Sequence, residues 1–455
     1  MNLLDPLFRS QAVEKVFSNR ATLQGMLDFE AALARAEARA GFIPATAPQA
    51  IEAKCRAELY DMTALARAAA SAGNLAIPLV KQLTLLVAQK EKEASRYVHW
   101  GATSQDVIDT GRVLQLRQAI TLISAELDLL AVMLGETVHK HRATLLAART
   151  WMQQALPTTF GLEVAGWLDA IDRHRARLGE SQARCLVLQF GGAVGTMAAL
   201  GTRGLEVASA LAKELQLPLP ELPWHSHRDR MVEIATTLGL CMGTLGKIAR
   251  DISLHMQTEV AEIFEPSADG RGGSSTMPHK RNPVACAVVL SAALRVPPLV
   301  GTMLAAQVQE QERGLGGWHA EWETLPDIVR LTAGAVHHLT SAVSELEIDA
   351  ERMRQNLDVT QGLIFAEAVA LALAEKIPRT EAHELVRIAC KRARSSRRDL
   401  RSVLVQDAIV KANLSDAELD RLFAPGNYLG VADQLIDRVL ASRALPREQK
   451  NPRKK

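Results

Sequence analysis

Residues 113–134 read VLQLRQAITLISAELDLLAVML. Within them Leu116, Ile120, Ile123, Leu127, Leu130 and Leu134 recur at alternating steps of three and four, which places them on one stripe of an α-helix. A stripe of that length suits a helix packed along its whole extent against others. The rhythm returns at Leu238, Cys241, Leu245, Ile248 and Ile252, and the Ala- and Leu-rich stretch after Pro283 continues it. Alternating β-branched runs are scarce. The expected fold is therefore all-α, with a bundle of long helices in the middle of the chain.

On either side the pattern shortens. Residues 1–110 read as shorter helices broken near Gly41-Phe42-Ile43-Pro44 and Gly73-Asn74, and residues 353–455 as another short-helix unit. Three domains are expected, 1–110, 111–352 and 353–455, with a catalytic loop at 270–283 in the central one.

Composition narrows the function classes. The 455 residues carry 53 Lys and Arg against 51 Asp and Glu, with both signs interspersed, so no long-range field draws in nucleic acid or anionic lipid. The N-terminus, MNLLDPLFRS, places an acid and a proline where a signal peptide needs a basic start and an apolar run. No segment is expected to reach membrane-spanning length, and a cytoplasmic location follows. Cys55, Cys185, Cys241, Cys286 and Cys390 are odd in number and set among apolar neighbours, as reduced core thiols are. His225 and His227 lack metal-ligand spacing, and no strand precedes Gly191-Gly192-Ala193-Val194-Gly195 as a dinucleotide loop requires. No metal and no cofactor are expected.

The chemistry concentrates at Gly273–Pro283, GSSTMPHKRNP. Hydroxyls, cationic donors and an amide stand together beside Gly270, Gly272 and Gly273, which give the backbone the freedom a substrate-closing lid needs. Such a segment is suited to meet an anion. Farther up the chain, Thr103 and Ser104 precede the long helix, and Asp106 lies three positions after Thr103, an arrangement that suits an N-terminal cap. A helix start also presents free amides and hydroxyls to a carboxylate, so capping and substrate binding are compatible there.

The loop resembles the signature GSSxMPxKxNP of the fumarase/aspartase superfamily, and every defining position matches. His99-Trp100-Gly101-Ala102-Thr103-Ser104-Gln105-Asp106, and Arg149-Thr150-Trp151 running to Pro157-Thr158-Thr159, fall at that superfamily's order and spacing, so the resemblance covers nearly the whole chain. It implies three helical domains, a homotetramer whose central bundles associate, and active sites built from three chains. It also implies that Ser274 exchanges the proton on the carbon next to a substrate carboxylate, with Ser275 as an alternative. Serine is a poor base unless amides and a cation such as Lys280 surround its alkoxide. Lys280 and Asn282 then hold the carboxylate whose charge grows, while Thr103 and Ser104 bind another.

Departures from the pattern indicate the reaction. Superfamily members that expel water or amines commonly carry histidine where this chain has Trp151, and glutamate seven residues after the loop lysine, where it has Ala287. Such a pair relays protons to a group that must gain or lose one. A carboxylate, ionised at neutral pH, needs no relay. The expected reaction is thus addition of a substrate's own carboxylate across an activated double bond, giving a lactone: the work of a cycloisomerase on a tricarboxylate.

Several anions need several donors. His279, Arg281, Arg149, Thr150, Trp151 and Arg313 lie in segments that resemble the family's active-site regions and are expected to bind substrate. For Arg149 and Arg313 an interhelical ion pair is an equal alternative. Trp318 and Trp322 read as core or interface aromatics. Two other functions stay open: PHKRNP and GLIFAEAVALALAEK also resemble the adenylosuccinate-lyase branch, and some superfamily members are inactive lens proteins.

Overall fold

The computed structural model describes residues 3–267, 272–274 and 276–444. Helices dominate. Those that matter for the site are α1 (Asn19–Arg39), α2 (Ser104–Lys140), α3 (Phe160–Cys185), α4 (Asp229–His255), α5 (Val284–Ala306) and α6 (Gly317–Val343). The all-α expectation holds, with two small antiparallel pairs added: β1 (Leu145–Thr150) with β2 (Gln153–Thr159), and β3 (Ile263–Phe264) with β4 (Glu347–Ile348).

The apolar stripe of α2 is buried as its spacing requires, with Leu116, Ile120, Ile123, Leu127, Leu130 and Leu134 all at most 1% exposed. On α4, Leu238, Cys241, Leu245, Ile248 and Ile252 are likewise buried. Helix length does not divide the chain: the 21-residue α1 lies before Ser104, and an 18-residue helix, Arg379–Ser396, lies after Ala350. By compactness the chain groups into two units. One comprises residues up to Asp128, Arg173–Gly246 and Ala287–Leu339, and the other Leu129–Asp172, Lys247–Cys286 and the chain from Thr340.

Within the first unit α1 crosses α2 at a pair of glycines. A Cβ on Gly25 would lie 3.1 Å from the Gly111 carbonyl oxygen, and one on Gly111 would lie 3.2 Å from the Gly25 carbonyl carbon. A side chain at either position would push the helices apart by a few tenths of an ångström. The second unit has a separate cluster around Leu373, Leu385, Val386, Leu400 and Leu404, which stabilises its C-terminal helices.

One expectation is corrected. Among the described residues α2, α4 and α5 are long and apolar enough, by length and composition, to cross a membrane. The amphipathic reading counted only the core stripe. Off-stripe positions of these helices are also filled by Ala, Val, Leu and Met, and in α5 only 33% of the apolar window is buried.

Candidate active site

In the first unit the site begins at the N-terminus of α2. Asp106, fully buried, accepts from the backbone amide of Thr103 at 3.0 Å, which is half of a capping box. The same carboxylate accepts from the amides of Gly191 and Gly192 at 3.1 and 2.9 Å, and from Gln189 Nε2 at 3.2 Å. His225 Nε2 lies 2.7 Å away. A carboxylate so thoroughly solvated by fixed donors is held in one position, and with it the start of α2. Gly191 and Gly192 of the 191–195 run therefore turn their amides to Asp106.

Arg313 reaches this helix start. Its Nη1 donates to Thr103 Oγ1 at 3.2 Å and its Nη2 to the Ala193 carbonyl at 2.8 Å. The structure thus joins two of the expected anion-binding groups, a hydroxyl and a guanidinium, with Ser104 as the first residue of the adjoining helix. Near them His99, at a left-handed φ of 58°, places its Nδ1 2.5 Å from buried Glu30 Oε1. Burial alone would lower the imidazole pKa, but the Glu30 carboxylate outweighs it and the pKa is raised.

One turn along α2, Asp109 accepts from Arg228 at 2.6 Å and from Trp318 Nε1 at 2.9 Å, and Arg228 also donates to Glu321 at 2.9 Å. The Arg228 guanidinium lies 4.8 Å from the Trp224 ring centroid. This buried network fastens α4 and α6 to α2. Trp318 and Trp322 stack edge to face at 4.9 Å, as core aromatics do. The sequence carried no local sign of these partners, since Asp106 and His225 are 119 positions apart.

In the second unit Arg149 and Thr150 lie on β1, and Trp151 and Met152 form the hairpin tip at φ 51° and 62°. Thr150 pairs with Gln153 across that turn, the two-residue left-handed geometry of a tight hairpin. Trp151 is 97% exposed. Arg149 donates to Glu262 at 2.7 and 3.0 Å, so its guanidinium is held by a carboxylate of its own unit. Glu262 also meets His255 at 2.6 Å and Asn356 at 2.7 Å, and His255 meets Glu163 at 3.0 Å. Burial raises the Glu262 pKa, but His255, Arg149 and Asn356 prevail and bring it to about 2. Burial likewise disfavours the His255 cation, yet Glu163 and Glu262 hold it at about 9.

The signature loop follows. Ser274 Oγ accepts from the amides of Thr276 at 3.3 Å and Met277 at 3.1 Å. Lys280 and His279 are exposed, and Lys280 makes no ion pair among the described residues. Asn282 Nδ2 donates to the Gly273 carbonyl at 3.3 Å. Arg281 is engaged elsewhere, with both terminal nitrogens 2.8 Å from Glu347. Ser275 lies outside the described residues, as do residues 268–271, which include Gly270 and Arg271 of the expected lid. All five cysteines are free thiols, four of them buried, and no metal-holding group of His, Cys, Asp and Glu occurs among the described residues.

A helical chain with this signature loop and this helix start has the makeup of the fumarase/aspartase superfamily. The model of the lyase family matches residues 9–297 and that of the adenylosuccinate lyase C-terminus matches residues 362–439; the chain belongs to this superfamily. Within it, the 3-carboxy-cis,cis-muconate cycloisomerase of Pseudomonas aeruginosa is 58% identical over 439 residues, covering 96% of both chains. That of Bradyrhizobium diazoefficiens is 54% identical, over 97% of this chain and 98% of its own. The crystal structure of the 3-carboxy-cis,cis-muconate lactonizing enzyme from Pseudomonas putida superposes with a TM-score of 0.93 at 55% identity, over 97% of this chain and 99% of that one.

Proposed function

We propose that the chain is an isomerase that closes 3-carboxy-cis,cis-muconate to 4-carboxymuconolactone, a step of protocatechuate breakdown in the β-ketoadipate pathway. The relatives carry that activity in their names. The observation that carries the chemistry is Ser274, whose oxygen already faces the Thr276 and Met277 amides. Two N–H dipoles aimed at that oxygen, with the Lys280 ammonium nearby in sequence, are the donors an alkoxide requires.

The distal carboxylate attacks the carboxyl-bearing alkene carbon. Charge moves into the adjacent carboxylate, where Lys280, Asn282 and His279 stabilise it, and Ser274 gives its proton to the neighbouring carbon. Thr103, Ser104 and Arg313 bind a second carboxylate at the positive start of α2. Thr150 and Trp151 shape the pocket. The nucleophile is already ionised, so Trp151 and Ala287 can replace a proton relay without loss. No cofactor enters.

The assembly is a cytoplasmic homotetramer with active sites shared between chains, and its three domains are residues 1–110, 111–352 and 353–455. Light scattering should report a tetramer; a fully active monomer would refute shared sites. For the reaction, ultraviolet assays should show turnover of 3-carboxymuconate, and Ser274→Ala should reduce it by about two to four orders of magnitude with unchanged thermal melting. Near-native turnover in that variant would remove Ser274 from the mechanism. The match to the adenylosuccinate lyase C-terminus supports a second reading, a C–N lyase. Adenylosuccinate assayed in parallel separates the two.

A further inference from the structure

The stems of the signature loop are closed by side chains that the proposed reaction does not use. Glu265 follows β3, is 4% exposed, and accepts from the amides of Ala285 at 3.0 Å and Cys286 at 2.8 Å. It therefore caps the first turn of α5 from the other end of the loop, joining two chain points 20 positions apart. From the opposite stem Arg281 donates to the Glu265 carbonyl at 2.7 Å and lies 4.7 Å from the Phe264 ring centroid. Its two terminal nitrogens meet Glu347, which pairs with Phe264 in the β3–β4 ladder. The hydrogen bond from Arg281 keeps the Glu347 carboxyl below its ordinary pKa. Inside this clamp the Asn282 amide donates to the Gly272 carbonyl at 2.8 Å, and Gly272 sits at a left-handed φ of 70°.

We propose that Glu265, Arg281 and Glu347 are positioning residues that fix the base of the loop, so that Lys280 and Asn282 on either side of Arg281 are presented to substrate while Arg281 itself binds none. The guanidinium has its charge answered by Glu347, three of its five donors given to Glu347 and a carbonyl, and one face against an aromatic ring. A ligand carboxylate competing for it would have to displace a bidentate partner. Positioning is worth this many contacts because a displacement of about 1 Å at a reacting group can cost a factor of about 100.

The inference rests on the cycloisomerase reading, and its test is arranged to separate the two. Turnover of 3-carboxymuconate by the unaltered chain is measured first; its absence would refute the reaction, while amide exchange in residues 276–284 still reports on the clamp. Glu347→Gln is the decisive variant. A positioning role predicts kcat about two- to five-fold lower, the range for a largely exposed ion pair, with KM changed less than about two-fold. Arg281→Gln and Glu265→Gln should lower kcat by about 10- to 100-fold, again with little change in KM. The exchanged pair R281E/E347R should recover part of the loss, and exchange in residues 276–284 should quicken in each single variant. If Arg281 held a substrate carboxylate instead, Arg281→Gln would raise KM steeply, Glu347→Gln would leave kcat intact or lower KM by freeing the guanidinium, and the exchanged pair would be inactive. That set of results, or unchanged exchange in every variant, overturns the proposal.

Discussion

Arg149 and Glu262 form a two-bonded ion pair at 2.7 and 3.0 Å, joining β1 to the segment that precedes the signature loop. Glu262 is wholly buried and shares its carboxylate with His255, whose other nitrogen meets Glu163. Removing one partner from a buried pair leaves the rest uncompensated. Glu262→Ala should therefore destabilise the fold by about 3–5 kcal/mol in urea denaturation. A loss under about 1 kcal/mol would mean that solvent replaces the carboxylate.

The same network sets a pH window. His255 has a folded pKa of about 9 against an ordinary 6.5, so its contribution is complete below 6.5 and is lost as pH rises through 9. Glu262, at about 2 against an ordinary 4.5, contributes fully above 4.5 and loses that contribution as pH falls through 2. Thermal stability from this cluster should be greatest between these ordinary values and fall on both sides. Replacing His255 with Gln should flatten the alkaline side of the melting profile; an unaltered alkaline limb would exclude His255 as its source.

Arg313 and Thr103 share one hydrogen bond at 3.2 Å, and the proposed function has both bind a substrate carboxylate. Loss of a charge-assisted bond predicts that Arg313→Gln raises KM by about 10- to 100-fold, and loss of a neutral one that Thr103→Val raises it by about two- to ten-fold. Should both leave KM unchanged, the helix start only caps α2.

Lys280 has a different signature from Arg281. In the proposed mechanism one ammonium serves both the ground-state carboxylate and the charge that develops from it, so Lys280→Met should lower kcat and raise KM together. Steady-state kinetics giving a change in KM alone would reduce Lys280 to a binding group.

Trp151 and Ala287 stand where the resemblance to the superfamily implies a proton relay, and both are exposed in the chain. Exposure leaves room at Ala287, so Ala287→Glu should fold normally and mainly weaken affinity, because a like charge repels a tricarboxylate. In the shared site of the proposed tetramer, Trp151→Ala should cost more turnover than Ala287→Glu, through lost exclusion of water. The double variant Trp151→His with Ala287→Glu should not accelerate lactonisation. A marked increase in its kcat would show that the reaction needs proton relay after all.

By itself the sequence determined the helical class, the long stripes of α2 and α4, and the loop at 273–283, because each depends on periodicity or on side chains within a few positions of one another. The capping relation of Thr103 and Asp106 was legible for the same reason. Tertiary structure decided what the charges do. Arg149, Arg281 and Arg313 look alike as sequence, yet Glu262 holds the first, Glu347 holds the second, and only the third reaches Thr103. The partners stand 113, 66 and 210 positions away, so no local pattern could name them. The hairpin that carries Trp151 escaped as well, since its strands lack alternating apolar residues and take their order from Arg149, Gln154 and the partners these find across the fold.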